Sequence, residues 1–236
     1  MWYNFIGGSD MNPTIFFSVC SLFYCILLIV ITFSKKNKKD SENNMLKILI
    51  TTNLIGLLLE VAGLFLGNNY ESYELLNDIV LRAMLVYYLL WMSLFIVYIL
   101  VISDIDIKKI KKCVLVLGVV FLAALIYDFS VPLYYNVNDG VIVYSSGPAV
   151  DFIYNYSLGC SIVCLFIMFK NFKKSIAVKY APLFVFISLG ALVSIVQSSN
   201  PQLLLSTSMQ TFVTYLVYFT TNKEQDNSIE HKKVNK

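Results

Sequence analysis

Charge is scarce in this chain. Only 14% of its 236 residues are Asp, Glu, Lys or Arg, against roughly 25% in a typical soluble protein. Histidine is scarcer still, with His231 alone. The first shortage excludes a soluble fold, because 58% of the residues are hydrophobic and the mean hydropathy is +0.70. A water-soluble chain of this size has nowhere to bury so much apolar surface, so a bilayer is the natural solvent. The second shortage leaves little room for histidine chemistry. His231 sits in Ser228-Ile229-Glu230-His231-Lys232-Lys233, which lacks the Arg/Lys-Thr-Pro continuation of a phospho-acceptor box and reads as a solvated tail residue. Metal-ligand spacing, a P-loop, a nucleophile elbow and a dinucleotide fingerprint are also missing. The expectation is a non-enzyme with no catalytic residues, cofactor or metal. The five cysteines are an odd number: Cys20, Cys25, Cys160 and Cys164 lie in apolar runs and Cys113 opens one. Buried thiols of this kind pack as small hydrophobes, so free thiols are predicted.

Seven long apolar runs are present, at 13–34, 46–67, 79–103, 113–131, 148–169, 181–199 and 203–221. Each approaches the length that crosses about 30 Å of hydrocarbon as a helix, and lipid leaves no partner for the backbone of an open strand. The predicted fold is therefore an all-α integral membrane bundle of seven transmembrane helices. It divides into an extracellular N-terminal segment (1–12), the bundle (13–221) and a short charged cytoplasmic tail (222–236). Orientation follows from the basic residues. Seventeen of the 18 fall on one side of the seven runs, in alternate connections and their edges or in the tail: Lys35–Lys39, Lys47 just inside span two, Lys108–Lys112, Lys170–Lys179 and Lys223–Lys236. Only Arg82 stands on the other side. The N-terminus is thus expected outside and the C-terminus inside, in a multi-pass protein of the cell membrane. Span one has no preceding Lys or Arg and is followed by a stop-transfer cluster, so it is expected to be retained. Ile6-Gly7-Gly8-Ser9-Asp10-Met11 leaves open whether translation starts at Met1 or Met11.

The outer connections have their own character. Residues 68–78 read as an acidic, aromatic loop. In 132–147, Tyr134–Val137 and Val141–Tyr144 flank Asn138-Asp139-Gly140, which predicts a small extracellular β-hairpin between helices 4 and 5. Pro148 then opens span five, and Asn200-Pro201-Gln202 is read as a tight turn.

Ionisable groups at membrane depth are the default functional residues. Glu60 in the outer half of span two and Arg82 about one turn into span three are predicted to form an ion pair, either static (or with Arg82 snorkelling to the interface) or lining a ligand-sensing mouth. Asp128 and Asp151 flank the hairpin, as solvated helix-end residues or as ligand contacts. Tyr87, Tyr88 and Trp91 lie deeper, as bundle packing or as a pocket wall. Asn53, Asn155, Gln197 and Gln210 are expected to bond between helices or to form a polar relay.

Several segments resemble the N-terminal membrane sensor region of certain Gram-positive bacterial histidine kinases. They are Met11-Asn12-Pro13, Glu42-Asn43-Asn44, Asn53-Leu54-Ile55-Gly56-Leu57-Leu58-Leu59-Glu60, Tyr144–Phe152 and Met209–Thr220. The resemblance implies signal reception without catalysis, with the last span leading toward a phospho-accepting hairpin and an ATP-binding domain. Here the similarity ends after Thr220, so autokinase activity is not carried over. The expected partners are the lipid bilayer and a small-molecule or peptide ligand, with a second copy of the chain or a cytoplasmic kinase on the inner side and no nucleic acid. The rival readings are a small-solute transporter or channel, for which no matched broken repeats are visible, and a truncated remnant of a longer sensor kinase.

Overall fold

The computed structural model describes residues 13–34, 41–68, 70–103, 105–138, 141–172, 177–199 and 205–234. Residues 1–12, the Lys35–Lys39 cluster, the turn residues 139–140 and the Asn200-Pro201-Gln202 turn lie outside the described residues. The elements are α1 (Pro13–Ser34), α2 (Ser41–Gly67), a 3-10 turn (Tyr70–Ser72), α3 (Glu74–Ile102), α4 (Ile107–Ser130), β1 (Tyr134–Asn138), β2 (Val141–Ser146), α5 (Pro148–Lys170), α6 (Ala177–Ser199) and α7 (Ser206–Val234). Helices α1 to α5 are long and apolar enough to cross a membrane, and α6 carries a shorter apolar stretch, Lys179–Val193. The chain is a helical protein of membrane character.

Helix ends depart from the hydropathy limits in a consistent way. α2, α3 and α4 begin five or six residues before their apolar runs. Polar first turns satisfy helix geometry as well as apolar ones, and hydropathy does not register them. Asp106 shows the local reason at α4, accepting the backbone N–H of Lys108 at 3.1 Å as an N-cap. The segment 68–78 is correspondingly less of a loop than expected, because α3 starts at Glu74. α7 continues as helix past Thr220 to Val234.

α3 is the central post. In its apolar window 61% of residues are buried, against 11% in α4. It packs on α2, α4 and α5, while α7 lies against α1, α2 and α6. Aromatic packing joins α3 to α6: Trp91 stacks on Phe95 at 5.1 Å between ring centres, and Phe186 tilts against both at 5.4 and 4.5 Å. A smaller apolar cluster of Leu85, Leu89, Ala124, Ala149 and Ile153 unites α3, α4 and α5. Hydroxyl pairs reinforce these seams, Ser93 with Tyr156 and Ser103 with Tyr180, both at 2.7 Å. Lys179 of α6 bridges Glu42 of α2, also at 2.7 Å. The outward faces carry Phe16, Phe23, Leu115, Val119, Ile126, Leu158 and Phe166. Such a surface is a liability in water and an asset in hydrocarbon. All five cysteines are free thiols, as expected.

The hairpin forms between α4 and α5 as anticipated. β1 and β2 are antiparallel, Tyr134 opposite Ser146 and Asn138 opposite Val141, with an irregularity at Asn136/Val137. Gly147 closes it with φ +105°, and a Cβ there would meet the Tyr134 ring at 2.6 Å. Only glycine satisfies both the positive φ and the close approach. β2 packs on α2 and α5, so the hairpin covers one end of the bundle.

Candidate functional site

Two polar centres lie within the bundle. The larger one begins at Glu60, which is 1% exposed. Ser18 of α1 donates its hydroxyl to Oε1 and Thr207 of α7 donates to Oε2. One to two turns along, Asn53 Nδ2 donates to Thr211 Oγ1 at 2.7 Å and reaches Cys25 Sγ at 3.8 Å. The Tyr87 hydroxyl lies 2.5 Å from Gln210 Oε1 and 3.1 Å from Asn53 Oδ1, so its one hydrogen serves either acceptor. Four helices thereby meet through side-chain hydrogen bonds.

Helical periodicity explains why these groups converge. On α2, Asn53, Gly56 and Glu60 recur at steps of three and four, so they share a face. On α7, Thr207, Gln210, Thr211 and Thr214 repeat the spacing. Gly56 lets α3 approach: a Cβ at this position would sit 2.0 Å from Tyr87 Cζ. The Tyr87 ring therefore lies over bare backbone and its hydroxyl reaches Asn53 and Gln210. Each interhelical bond contributes about 0.6–2 kcal/mol in a membrane environment.

The second centre lies at the hairpin end. Arg82 of α3 donates from Nη1 to the Asp128 carbonyl at 2.6 Å and from Nη2 to the Val131 carbonyl at 2.9 Å. It thus satisfies carbonyls left open where α4 ends. The Asp128 carboxylate is 3.9 Å from Nη1, fully buried, and without a hydrogen-bond donor among the described residues. Nearby, the Tyr135 hydroxyl of β1 donates to Asp78 of α3. Burial first, and then the Asp78 carboxylate, push the Tyr135 phenol up from its usual range.

The predicted Glu60–Arg82 ion pair is not made. Glu60 shares its face of α2 with Asn53 and turns to α1 and α7, whereas Arg82 turns from α3 to the end of α4. Arg82 pairs with Asp128 instead, which is a buried residue and not a solvated helix end. Asp151 is exposed on the first turn of α5, and Asn155 bonds its own helix at the Asp151 carbonyl (2.9 Å), with no interhelical bond among the described residues. Tyr87 joins the polar centre, half-buried Tyr88 packs beside it at 5.2 Å between rings, and Trp91 belongs to the aromatic core. The Gln197 and His231 side chains lie outside the described residues. Sequence reasoning missed Ser18, Thr207 and Thr211. The Thr207/Gln210/Thr211/Thr214 stripe was the available signal for the α7 members. Ser18, one hydroxyl in an apolar run, gave none. Among the described residues, no group of His, Cys, Asp and Glu is arranged to hold a metal.

Comparison with protein-family models and with curated proteins finds no match to the chain.

Proposed function

We propose that the chain is a membrane signal-receiving module that senses a ligand or membrane state and passes the change through α7. The observation carrying this reading is that α7 is tied to α2 and α3 through Thr207, Gln210 and Thr211 and to α1 through the Tyr215 hydroxyl on the Tyr24 carbonyl, while the same helix runs on to Val234. Any stimulus that favours one arrangement of the polar centre over another acts on the position of α7. A ligand does this only through a difference in affinity for the two arrangements. The resemblance of Asn53–Glu60 and Met209–Thr220 to kinase sensor regions supports the same assignment, since these segments supply the α2 and α7 halves of the centre.

Seven crossings, with the N-terminus outside and the tail inside, belong to this proposal. It is checked at Cys113, an exposed thiol near the Lys108–Lys112 end of α4. In sealed cells a membrane-impermeant maleimide is expected to leave Cys113 unlabelled until the membrane is permeabilised. Labelling of intact cells would invert the topology.

Function is tested by joining the full chain at Val234 to the catalytic part of a sensor kinase with a transcriptional reporter. Glu60→Ala and Thr207→Val are each expected to shift basal output at least several-fold at equal membrane abundance. Wild-type output from both would remove α7 as the output element. The transporter reading also has a specific observation in its favour, the buried carboxylate continuous with the Asn53, Thr211 and Gln210 groups. Solute uptake into proteoliposomes that Glu60→Gln abolishes would favour it over signal reception.

A further inference from the structure

We infer that Glu60 is the binding site for one exchangeable monovalent cation, and that its occupancy sets how firmly α7 is held against α1 and α2. The argument is a charge count on a built site. Glu60 is 1% exposed within an apolar helix. Its two carboxylate oxygens accept from neutral hydroxyls, those of Ser18 and Thr207. The ion pairs among the described residues are Arg82–Asp128 and Lys179–Glu42, and neither supplies a counter-charge. Arg82, the one arginine of the chain, is committed to the end of α4. An ionised carboxylate at this depth needs a positive charge that none of the described residues supplies. One unit suffices, and a divalent ion would leave the centre positive.

The surrounding atoms narrow the chemistry. Against the carboxylate are Ser18 Oγ and Thr207 Oγ1, and one to two turns further along the same seam come Thr211 Oγ1, Asn53 Oδ1 and Gln210 Oε1. These are hard oxygen donors, suited to a proton or an alkali cation and unsuited to soft metals. The titratable groups facing this region are Cys25 from α1 and Tyr87 and Tyr88 from α3. The described α7 groups, Thr207, Gln210 and Thr211, do not titrate near neutrality. Among those groups, Glu60 is the one carboxylic acid, the others being a thiol and two phenols. With the cation bound, the centre is neutral and α1, α2 and α7 close over it. With the cation lost, the residual charge favours an arrangement that admits water, and α7 loosens from α2. The role of α7 in output rests on the function proposed above, whereas the binding itself does not.

The test uses the purified full chain in nanodiscs of uncharged lipid. Infrared absorption of the carboxyl groups and thermal unfolding are followed in two arms, pH varied at fixed sodium and sodium exchanged for choline at fixed pH. A carboxyl signal that titrates with pH regardless of sodium, absent in Glu60→Gln, identifies the cation as a proton. A sodium-dependent rise in unfolding temperature, also absent in Glu60→Gln, identifies sodium. Indifference of the wild type to both, a response to divalent ions alone, or unchanged signals in Glu60→Gln would overturn the inference. If Glu60→Gln does not fold, Ser18→Ala and Thr207→Val retain the carboxylate. Each is expected to move the binding midpoint about tenfold, the ratio that one hydrogen bond to a charged group represents. Unmoved midpoints in both would count against the site. Intact cation binding in a chain whose kinase fusion ignores Glu60→Ala would spare the site and defeat the signalling role.

Discussion

Arg82→Leu is expected to lower the unfolding free energy by about 3 kcal/mol, as measured by denaturation in mixed micelles, because it leaves a buried acid without its partner. The substitution removes both bonds to the Asp128 and Val131 carbonyls and uncaps α4 at the point where the chain turns into the hairpin. The Asp128 carboxylate would then be fully buried with neither a donor nor a neighbouring cation. Asp128→Asn keeps the shape and discards the charge, so it should cost no more than about 1 kcal/mol. The discriminating variant is Arg82→Leu combined with Asp128→Leu. It should be less destabilised than the two single effects summed, since the double change no longer strands a charge. Simple additivity of the singles would show that the two residues act independently.

Gly56→Ala is expected to cost about 3 kcal/mol, and Gly56→Leu to abolish folding, since overpacking here adds to the loss of hydrogen bonds. An alanine Cβ would lie 2.0 Å from Cζ and 2.4 Å from both Cε atoms of Tyr87. The ring must move, and its hydroxyl then leaves Gln210 and Asn53. Because the collision is with ring carbons, Tyr87→Phe should not relieve it. Tyr87→Leu in the Gly56→Ala background should recover part of the loss in thermal unfolding. Equal recovery by Phe and Leu would mean that the hydroxyl, not the ring, is what the alanine disturbs.

The helices and the hairpin were legible because their signals are local. Apolar run length marks a helix core, and Tyr134–Val137 and Val141–Tyr144 around a turn mark two strands. Helix ends were less legible, since Ser41–Met45 and Glu74–Asp78 are polar turns that continue apolar helices. At the candidate site the sequence identified which residues are costly in a membrane: Glu60, Arg82, Asp128, Asn53, Gln210 and Tyr87. It did not identify their partners. Adjacency of α2 and α3 suggested that Glu60 meets Arg82. The choice is made by rotation about each helix axis, and residues 60 and 82 lie on faces directed at different neighbours. Ser18 was invisible for a related reason: its importance comes from a residue 42 positions away on another helix. The tertiary arrangement alone carries that information.

The continuity of α7 has a mechanical side. From Thr207, beside Glu60, to Val234 the helix runs about 40 Å at 1.5 Å per residue. A rigid rod of that length converts a tilt of about 5° at its anchored end into a displacement of about 3.5 Å at the far end. The exchange of a hydroxyl contact at Glu60 requires motion of only about an ångström, because hydrogen bonds are lost over such distances. The molecule thus has the proportions of a lever, with a short arm where polar contacts are made and broken and a long arm that carries the movement out. A glycine pair inserted in α7 beyond Thr220 would turn the rod into a joint. The contacts at Glu60 would then be kept while the stroke at Val234 was lost.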